Sequence, residues 1–333
     1  MGELAVPQFL GPQTKLAELH THLGSSVDPA VMWEIAHAQG IKLPTKDYWR
    51  FVDMITVNPR KVKSFDDYLE MFKWTELIQS SPLAIEQSVY HTIAGAYRKN
   101  NITLLELRFN PMKRNRGGEQ DLDHIMMAAI RGIDRSSLEY PVRTGLIVCL
   151  DRTFNHDQNE KLLEKALRYR SRGVVGIDIA GPRAKGFRYA DCKDLFERAR
   201  GEGLGLTVHA GEDEGHDSVR EVIKHLAPDR IGHGVRSIEN EATLRMVRES
   251  GITLEVCPSS NLNTRVIKGV GHMKQVFRSL ESHHIKYTIN TDGPEMLMTN
   301  LRNEFDFLLR NGILDEEDLL RANRYAFSAS FIK

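Results

Sequence analysis

Two histidines one residue apart, His20 and His22, stand at the end of the first short apolar segment of the sequence. Residues i and i+2 of an extended chain point to the same side, so both imidazoles can reach one metal ion. A chance pair of this kind is unsurprising in a chain with 13 histidines. The pair therefore indicates a metal site only if other segments supply further ligands.

Three later segments place ionisable side chains at the ends of apolar runs. His209 and Glu212 follow the fifth run, His233 follows the sixth and Asp292 follows the eighth. The carboxyl ends of parallel strands in a barrel converge on one face, where barrel enzymes carry their sites. Histidines that merely filled a core would not share this position. We therefore expect these side chains to meet the first histidine pair at a single site.

These residue types suit zinc and a proton-transfer reaction. Three imidazoles and one carboxylate match a borderline ion, and no thiolate is offered. An open position would hold water, whose pKa zinc lowers from about 15.7 toward about 7. Glu212 can protonate the leaving side of a substrate, and His233 can orient or deprotonate the water. The spacing predicts zinc-assisted hydrolysis at an electrophilic carbon and specifies no substrate.

Eight short apolar runs rich in Val, Ile and Leu must position these residues. They lie at 16–19, 103–109, 144–150, 174–179, 205–208, 230–231, 252–256 and 287–290. Longer stretches with helical spacing, such as 160–167 and 218–223, separate them. Continuous apolar strands are typical of parallel sheets that are buried on both faces. The pattern predicts the α/β class, with residues 1–333 folded as one (β/α)₈ barrel of the TIM type.

The connection between the first two runs is unusually long, from about residue 23 to residue 102. It contains all three tryptophans of the chain, Trp33, Trp49 and Trp74. We expect extra helices here that pack over one end of the barrel. They would either form a lid or pocket wall or simply cover the barrel rim.

Composition excludes several classes of protein. The chain has 45 basic and 45 acidic residues, so it lacks the charge excess of a nucleic-acid-binding protein, and the basic run at 112–116 is expected to be a solvated loop. No stretch approaches the roughly 18 apolar residues of a membrane span, and residues 1–7 do not resemble a secretory signal. Three well-separated cysteines fit a reducing compartment. We predict a cytoplasmic protein of undetermined oligomeric state.

Seven motifs, taken in order along the chain, resemble those of the adenosine deaminase family within the metal-dependent amidohydrolase superfamily. The motifs cover nearly the whole sequence. They are Glu18-Leu19-His20-Thr21-His22-Leu23, Leu105-Glu106-Leu107-Arg108-Phe109, Val175-Gly176-Ile177-Asp178-Ile179-Ala180-Gly181, His209-Ala210-Gly211-Glu212, Arg230-Ile231-Gly232-His233-Gly234, Cys257-Pro258-Ser259-Ser260-Asn261 and Asn290-Thr291-Asp292.

The resemblance implies a role for each site residue. It implies one zinc ion with the ligands His20, His22, His209 and Asp292. Glu212 would donate a proton to ring nitrogen 1 of a purine, and His233 would position the attacking hydroxide. Gly181 would contact the base through its backbone, while Asp178 would support the metal site or serve the structure alone. Attack at carbon 6 would expel ammonia, so the implied partners are a purine nucleoside and water.

The sequence departs from the family pattern at three positions near the implied substrate. Gly24 stands where the family usually has an Asp that reaches the ribose 5′-hydroxyl. Gly293 stands where a second Asp usually contacts purine nitrogen 7, and Pro182 replaces a usual acidic residue after Gly181. The chemistry of the metal and proton-transfer residues is therefore implied more firmly than the substrate.

Several substrates fit this pattern. Adenosine, converted to inosine, is the first expectation, because it is the commonest substrate of the family. The loss of charge and volume at Gly24 favours a 5′-modified adenosine such as aminodeoxyfutalosine or methylthioadenosine, and adenine is a further alternative. A metal-dependent hydrolase of an amide or ester is a second class. A non-catalytic binding protein is a third, although the intact metal set argues against it.

Overall fold

The computed structural model describes residue 11 and residues 13–57, 65–119 and 121–333. Residues 1–7, on which the expectation about a secretory signal rests, lie outside these described residues. Within the described part of the chain, no helix combines the length and the apolar character that crossing a membrane requires.

Eight parallel strands form one sheet in sequence order. All eight predicted strands are confirmed, and the first is longer than expected, so that the two spaced histidines end it instead of following it. The strands are β1 (Leu16–His22), β2 (Ile102–Phe109), β3 (Arg143–Asp151), β4 (Val174–Ala180), β5 (Gly205–Ala210), β6 (Arg230–His233), β7 (Thr253–Val256) and β8 (Tyr287–Ile289).

The sheet closes between its first and last strands through residues that lie just beyond β8. Thr21 and Asp292 form a parallel bridge. The amide of His22 donates to the carbonyl of Asp292 at 2.8 Å, and the amide of Asp292 donates to the carbonyl of His20 at 2.8 Å. Three of the predicted metal ligands, His20, His22 and Asp292, thus form the seam of the barrel. The geometry of the site therefore depends on closure of the fold.

Helices separate the strands and cover the outside of the barrel. The predicted (β/α)₈ architecture is confirmed. The helices are α1 (Pro29–Ala38), α2 (Tyr48–Ile55), α3 (Phe65–Ile78), α4 (Pro82–Asn100), α5 (Asp123–Ser137), α6 (His156–Arg168), α7 (Lys193–Gly201), α8 (His216–His225), α9 (Glu241–Ser250), α10 (Pro258–Asn263), α11 (Val270–Ser282), α12 (Leu301–Arg310) and α13 (Glu316–Ala329).

Local sequence explains why these helices begin where they do and which face they bury. Asn155 caps α6 by accepting from the amide of Gln158, and the Gln158 side chain accepts in return from the amide of Asn155. Leu162 and Ala166, four residues apart, then face the core. Asp315 caps α13 in the same way, so the acidic cluster at 315–318 is a helix start.

The long connection after β1 forms four helices, α1 to α4. Of these, α3 packs over the carboxyl ends of the strands, where Tyr68 shares a small apolar cluster with Met296 and Leu297 from the segment after β8. Phe72 of the same helix lines the cavity at this end of the barrel. This excursion therefore forms a pocket wall, as one of the two sequence interpretations proposed.

The barrel interior contains charged side chains as well as apolar ones. Arg230 is 1% exposed and donates to Glu255 through Nε at 2.6 Å and to Glu106 through Nη2. Its Nη1 donates to the carbonyl of Ala329, the last residue of α13, at 2.7 Å. Buried charges of this kind are tolerated only when they are paired and hydrogen-bonded. The network stabilises this part of the barrel interior because each buried charge needs its partners to remain paired.

Replacement of Arg230 by Met should lower the free energy of unfolding by about 3–5 kcal/mol, because buried Glu106 loses its paired cation and buried Glu255 loses one of two. Urea denaturation of the purified chain measures this difference. Arg310→Met is the matched control, since Arg310 is exposed and pairs with Asp306 one helical turn away, and it should change stability little. Equal effects of the two substitutions would contradict the role of the buried network.

Candidate active site

A cavity of about 740 Å³ opens at the carboxyl ends of the strands. This volume lies within the roughly 300–1,000 Å³ range of small-molecule sites. Its lining includes most of the residues that the sequence analysis singled out. Those residues are His22, Gly24, Gly181, Pro182, His209, Glu212, His233 and Asp292.

Three imidazoles and one carboxylate converge at the floor of the cavity. Nε2 of His22 lies 3.1 Å from Nε2 of His209. Oδ1 of Asp292 lies 3.4 Å from Nε2 of His22 and 3.7 Å from Nε2 of His20. Among the described residues, Nε2 of His20 has no hydrogen-bond partner although it is buried. These donors fit zinc, because nitrogen lone pairs and a carboxylate oxygen face a common point.

Carboxylates behind two of the imidazoles fix which ring nitrogen faces the cavity. His20 donates from Nδ1 to Glu255 at 2.7 Å. His209 donates from Nδ1 to Asp178 at 2.9 Å. With Nδ1 protonated and engaged, each neutral ring presents the lone pair of Nε2 to the ligand point. Asp178 therefore supports the site through His209, and Glu255 plays a matching part that the sequence analysis did not predict.

Arg108 of β2 holds both of these carboxylates. Its Nη1 donates to Asp178 at 2.8 Å, and its Nη2 donates to Glu255 at 2.8 Å and to the carbonyl of Leu19 at 2.7 Å. All three side chains are fully buried. The guanidinium lowers the pKa of Glu255 to about 2, despite the opposing effect of burial. Both carboxylates therefore stay ionised and keep accepting the imidazole protons.

Burial sets the protonation of other groups at the site. It lowers the pKa of His20 and of His233 well below the usual 6.5, and neighbouring positive charge adds to the effect. Burial raises the pKa of Glu212 well above its usual 4.5, with a further contribution from Asp292. The site therefore combines neutral imidazoles with a carboxyl group that favours its proton-donating form.

Two site residues hold a left-handed backbone. His233, the last residue of β6, has φ +62°, and Asp292, just past β8, has φ +63°. Residues with a side chain seldom adopt this region, and such conformations persist only where the surroundings enforce them. At Asp292 the enforcement comes from the two backbone hydrogen bonds of the barrel seam. The observed strain turns both side chains into the site.

Glu212 and His233 face each other across the cavity floor. Oε2 of Glu212 lies 3.5 Å from Nε2 of His233. On the far side of the ring, Nδ2 of Asn261 lies 3.0 Å from Nδ1 of His233. When Asn261 donates, Nε2 carries the ring proton and can hydrogen-bond a cavity oxygen. Ser260, which precedes Asn261 in α10, donates to Oδ2 of Asp292 at 2.6 Å. This leaves Oδ1 of Asp292 for the ligand point.

Several of these supporting residues lie in the motifs that carry the family resemblance, although the sequence analysis assigned them no role. Arg108 belongs to the motif on β2, and Ser260 and Asn261 belong to the motif that begins at Cys257. A polar residue inside a buried strand was the one available signal for Arg108. Cys257 itself is fully buried.

Gly181 contributes only backbone atoms to the cavity wall. Its φ is +89°, and a Cβ at this position would lie 2.9 Å from Oδ2 of Asp151. Nη1 of Arg152 donates to the carbonyl of Gly181 at 3.1 Å, and Nη2 donates to the carbonyl of His209 at 2.6 Å. Arg152, which the sequence analysis did not single out, thus ties the wall at the end of β4 to the predicted ligand at the end of β5.

The two glycines that depart from the family pattern have different surroundings. Gly24 lines the cavity, and a Cβ there would lie 2.9 Å from Nη2 of Arg114. A Cβ at Gly293 would lie 2.6 Å from Oγ of Ser25, and Gly293 is not among the residues that line the cavity within the described part of the chain. Ser25 therefore occupies the space that a side chain at 293 would need. Ser25 is also the residue that follows Gly24, so the two departures lie close to each other.

Comparisons with known proteins agree on one family. A family model described as adenosine deaminase matches residues 15–333. The chain is 31% identical to an adenosine deaminase of Vibrio atlanticus over 314 residues, which are 94% of this chain and 92% of that protein.

Two solved structures share the fold. An amidohydrolase of Burkholderia ambifaria with bound zinc has a TM-score of 0.88 at 18% identity and covers 100% of this chain and 90% of its own. The Arabidopsis N6-mAMP deaminase has a TM-score of 0.83 at 22% identity, with 97% and 95% covered.

Replacement of His209 by Ala should weaken zinc binding at least about tenfold, since even the loss of a residue that supports a ligand commonly costs that much. Mass spectrometry of the metal content after dialysis against graded zinc buffers measures the affinity. His37→Ala is the control, because His37 is exposed on α1 and bonds only its own helix. Unchanged zinc affinity in the His209 variant would remove this residue from the ligand set.

Proposed function

Since this chain belongs to the adenosine deaminase family, we propose that it hydrolyses the exocyclic carbon–nitrogen bond of a 6-aminopurine nucleoside, in the simplest case adenosine to inosine and ammonia. One observation carries the proposal. Three histidine nitrogens and Asp292 converge at the floor of the same cavity that Glu212 and His233 face. A metal-ligand set and a proton-transfer pair are thus available to a single substrate.

We propose that one zinc ion is held by His20, His22, His209 and Asp292. The donor set supports zinc, and the related fold of the Burkholderia protein was solved with zinc bound. Such an ion supplies acidification of a water molecule and charge stabilisation at the reacting carbon. The residues around it supply orientation, since Glu255 and Asp178 hold two of the rings and Ser260 holds Asp292.

The proton transfers are assigned to the pair on the cavity floor. Glu212 donates its proton to ring nitrogen 1 of the purine as the water oxygen adds to carbon 6. His233 holds the water in line for attack, with Asn261 fixing the ring from behind. One proton of the water reaches the amino group, which leaves as ammonia, and the other returns to Glu212 as the 6-oxo group forms. Water and the 6-aminopurine are thereby converted to the 6-oxopurine and ammonia, with no other reactant.

A nucleoside with a modified 5′ group is the second candidate substrate. Gly24 removes the side chain that the family usually directs at the 5′-hydroxyl, and the cavity there borders Arg114. The N6-mAMP deaminase with the similar fold acts, by its name, on a nucleotide. Gly181 remains the proposed backbone contact to the base, whereas the position of Gly293 outside the cavity lining favours an indirect effect through Ser25.

A cytoplasmic location is supported by three buried, unpaired thiols.

Replacement of Glu212 by Gln should lower kcat for deamination at least about 100-fold while zinc remains bound, because the amide cannot donate a proton to the ring. Steady-state ultraviolet assays together with metal analysis measure both quantities. Glu221→Gln, on the exposed face of α8, is the matched control with full activity expected. Retained turnover in the Glu212 variant would refute its role as proton donor.

Zinc-loaded protein should release ammonia from at least one 6-aminopurine nucleoside in a panel of adenosine, deoxyadenosine, adenine, methylthioadenosine and aminodeoxyfutalosine. Ammonia release and the ultraviolet change of 6-oxopurine formation provide independent readouts. If adenosine has the highest kcat/KM, the glycine at position 24 is compensated elsewhere. If a 5′-modified compound leads, this position marks the change in specificity. A panel with no turnover would contradict the proposed reaction.

A further inference from the structure

Arg114 lies in the wall of the catalytic cavity with little to neutralise its charge. The sequence pattern predicted that the basic run at 112–116 would be a solvated loop, and for this residue the prediction is wrong. Arg114 is 3% exposed and ends a 3-10 turn, Met112–Arg114, directly after β2. It lines the same cavity as His22 and Glu212. The guanidinium is therefore buried in the wall of the space that a substrate would occupy.

The partners of Arg114 do not satisfy it. Glu76 of α3 is the nearest carboxylate, with Oε1 4.0 Å from Nη2, which is too long for a hydrogen bond. Among the described residues, neither Nε nor Nη1 has a hydrogen-bond partner, although both are buried. Buried cations in proteins are normally paired with an anion and fully hydrogen-bonded. Arg114 therefore has hydrogen-bonding capacity that the described residues do not use, and an anion at this wall of the cavity can supply an acceptor.

Other cations near Arg114 add to the positive charge of this part of the cavity wall. Four cations line the outer part of the cavity, and we call them the cationic rim: Lys73, Lys113, Arg114 and Arg116. The carboxylates that line the cavity apart from Glu212 and Asp292 are three in number: Glu70, Glu76 and Asp151. Lys113 pairs with Asp151 at 2.5 Å. Within the described residues, Lys73 and Arg116 have no ion pair, and the four cations of the rim exceed these three carboxylates by one charge.

The position of Gly24 brings this cation within reach of a substrate. Gly24 lies two residues beyond the predicted ligand His22, and both line the cavity. Nη2 of Arg114 would lie 2.9 Å from a Cβ at Gly24, and the ring of Phe72 would lie 3.1 Å from it. A side chain at position 24 would crowd the guanidinium, so glycine leaves room beside Nη2. A nucleoside whose carbon 6 lies at the floor must extend its sugar toward such outer wall residues.

We propose that the substrate is a 6-aminopurine nucleoside with an anionic group on its 5′ side, a phosphate or a carboxylate, and that Arg114 binds this anion. The inference rests on the proposed deamination and specifies its substrate class. A planar guanidinium offers paired donors that match either anion. A neutral 5′-hydroxyl would leave the buried charge unpaired, so the same site disfavours plain adenosine.

Binding and turnover test this proposal separately. Calorimetry on the zinc-loaded full chain compares inosine 5′-monophosphate with inosine, and it requires no catalysis. Deamination assays compare adenosine 5′-monophosphate with adenosine, and adenosine-5′-carboxylic acid with its neutral carboxamide. The first pair reports on phosphate and the second on carboxylate. We expect at least one anion to exceed its neutral partner about 10-fold to 100-fold, the range of a charge-assisted hydrogen bond.

Substitutions identify the residue responsible. Arg114→Met should remove most of the preference for the anion, whereas Arg131→Met should keep it, because Arg131 lies outside the cavity on α5 and pairs with Glu86. Gly24→Asp and Gly24→Asn form a matched pair that differs in charge alone. The aspartate places a carboxylate beside Arg114 and should abolish the preference. The asparagine should retain more of it, which keeps the test valid if the Met variant folds poorly.

The possible outcomes separate failure of this inference from failure of the proposed reaction. Equal binding of inosine 5′-monophosphate and inosine, together with normal turnover of adenosine and no gain for either anion, would overturn the inference and leave the reaction intact. A preference for the anion that survives both Arg114→Met and Gly24→Asp would overturn the role of Arg114. Absence of turnover and of product binding across all compounds would overturn the reaction and, with it, the inference.

Discussion

The double ion pair of Arg108 is the interaction on which the site depends. One guanidinium, buried inside the barrel, holds Asp178 on β4 and Glu255 on β7, and each carboxylate accepts a proton from a different imidazole. The two rings therefore present the same nitrogen to a common point without help from solvent. Charges buried at this depth must be paired. Pairing them fixes three strands relative to one another, so the arrangement of ligands follows from the packing of the barrel.

Barrel closure and the geometry of the predicted metal ligands depend on the same hydrogen bonds. The seam between β1 and β8 passes through the backbone of Asp292, which is held in a left-handed conformation by its hydrogen bonds to His20 and His22. Strain of this kind persists only when the surrounding structure over-determines it. A chain that failed to close would lose the Asp292 position together with its last strand pairing. The fold thus enforces a site that local preferences alone would not form.

The cavity has two ends with different electrostatic character. At the floor, burial keeps His20 and His233 neutral and favours a protonated Glu212, which suits the transfer of protons to a purine ring. At the outer wall, Arg114 is buried with its charge largely uncompensated. The floor belongs to the chemistry that the family shares. The outer wall, where Gly24 departs from the family pattern, carries the charge that we propose selects the substrate.

The amino-acid sequence was sufficient to predict the barrel and the residues at the floor of its site. Continuous apolar runs identify parallel strands, and the carboxyl ends of such strands must converge, so His20, His22, His209, Glu212, His233 and Asp292 were predictable from their positions after those runs. The distant residues that support them became apparent only in the folded chain. Arg108 and Glu255 are 147 positions apart, and no local pattern indicates that these two charges pair. The same reason applies to Arg114 and to the contact between Ser25 and Gly293: burial and partnership arise when separate segments pack together, and a sequence pattern records only its own neighbours.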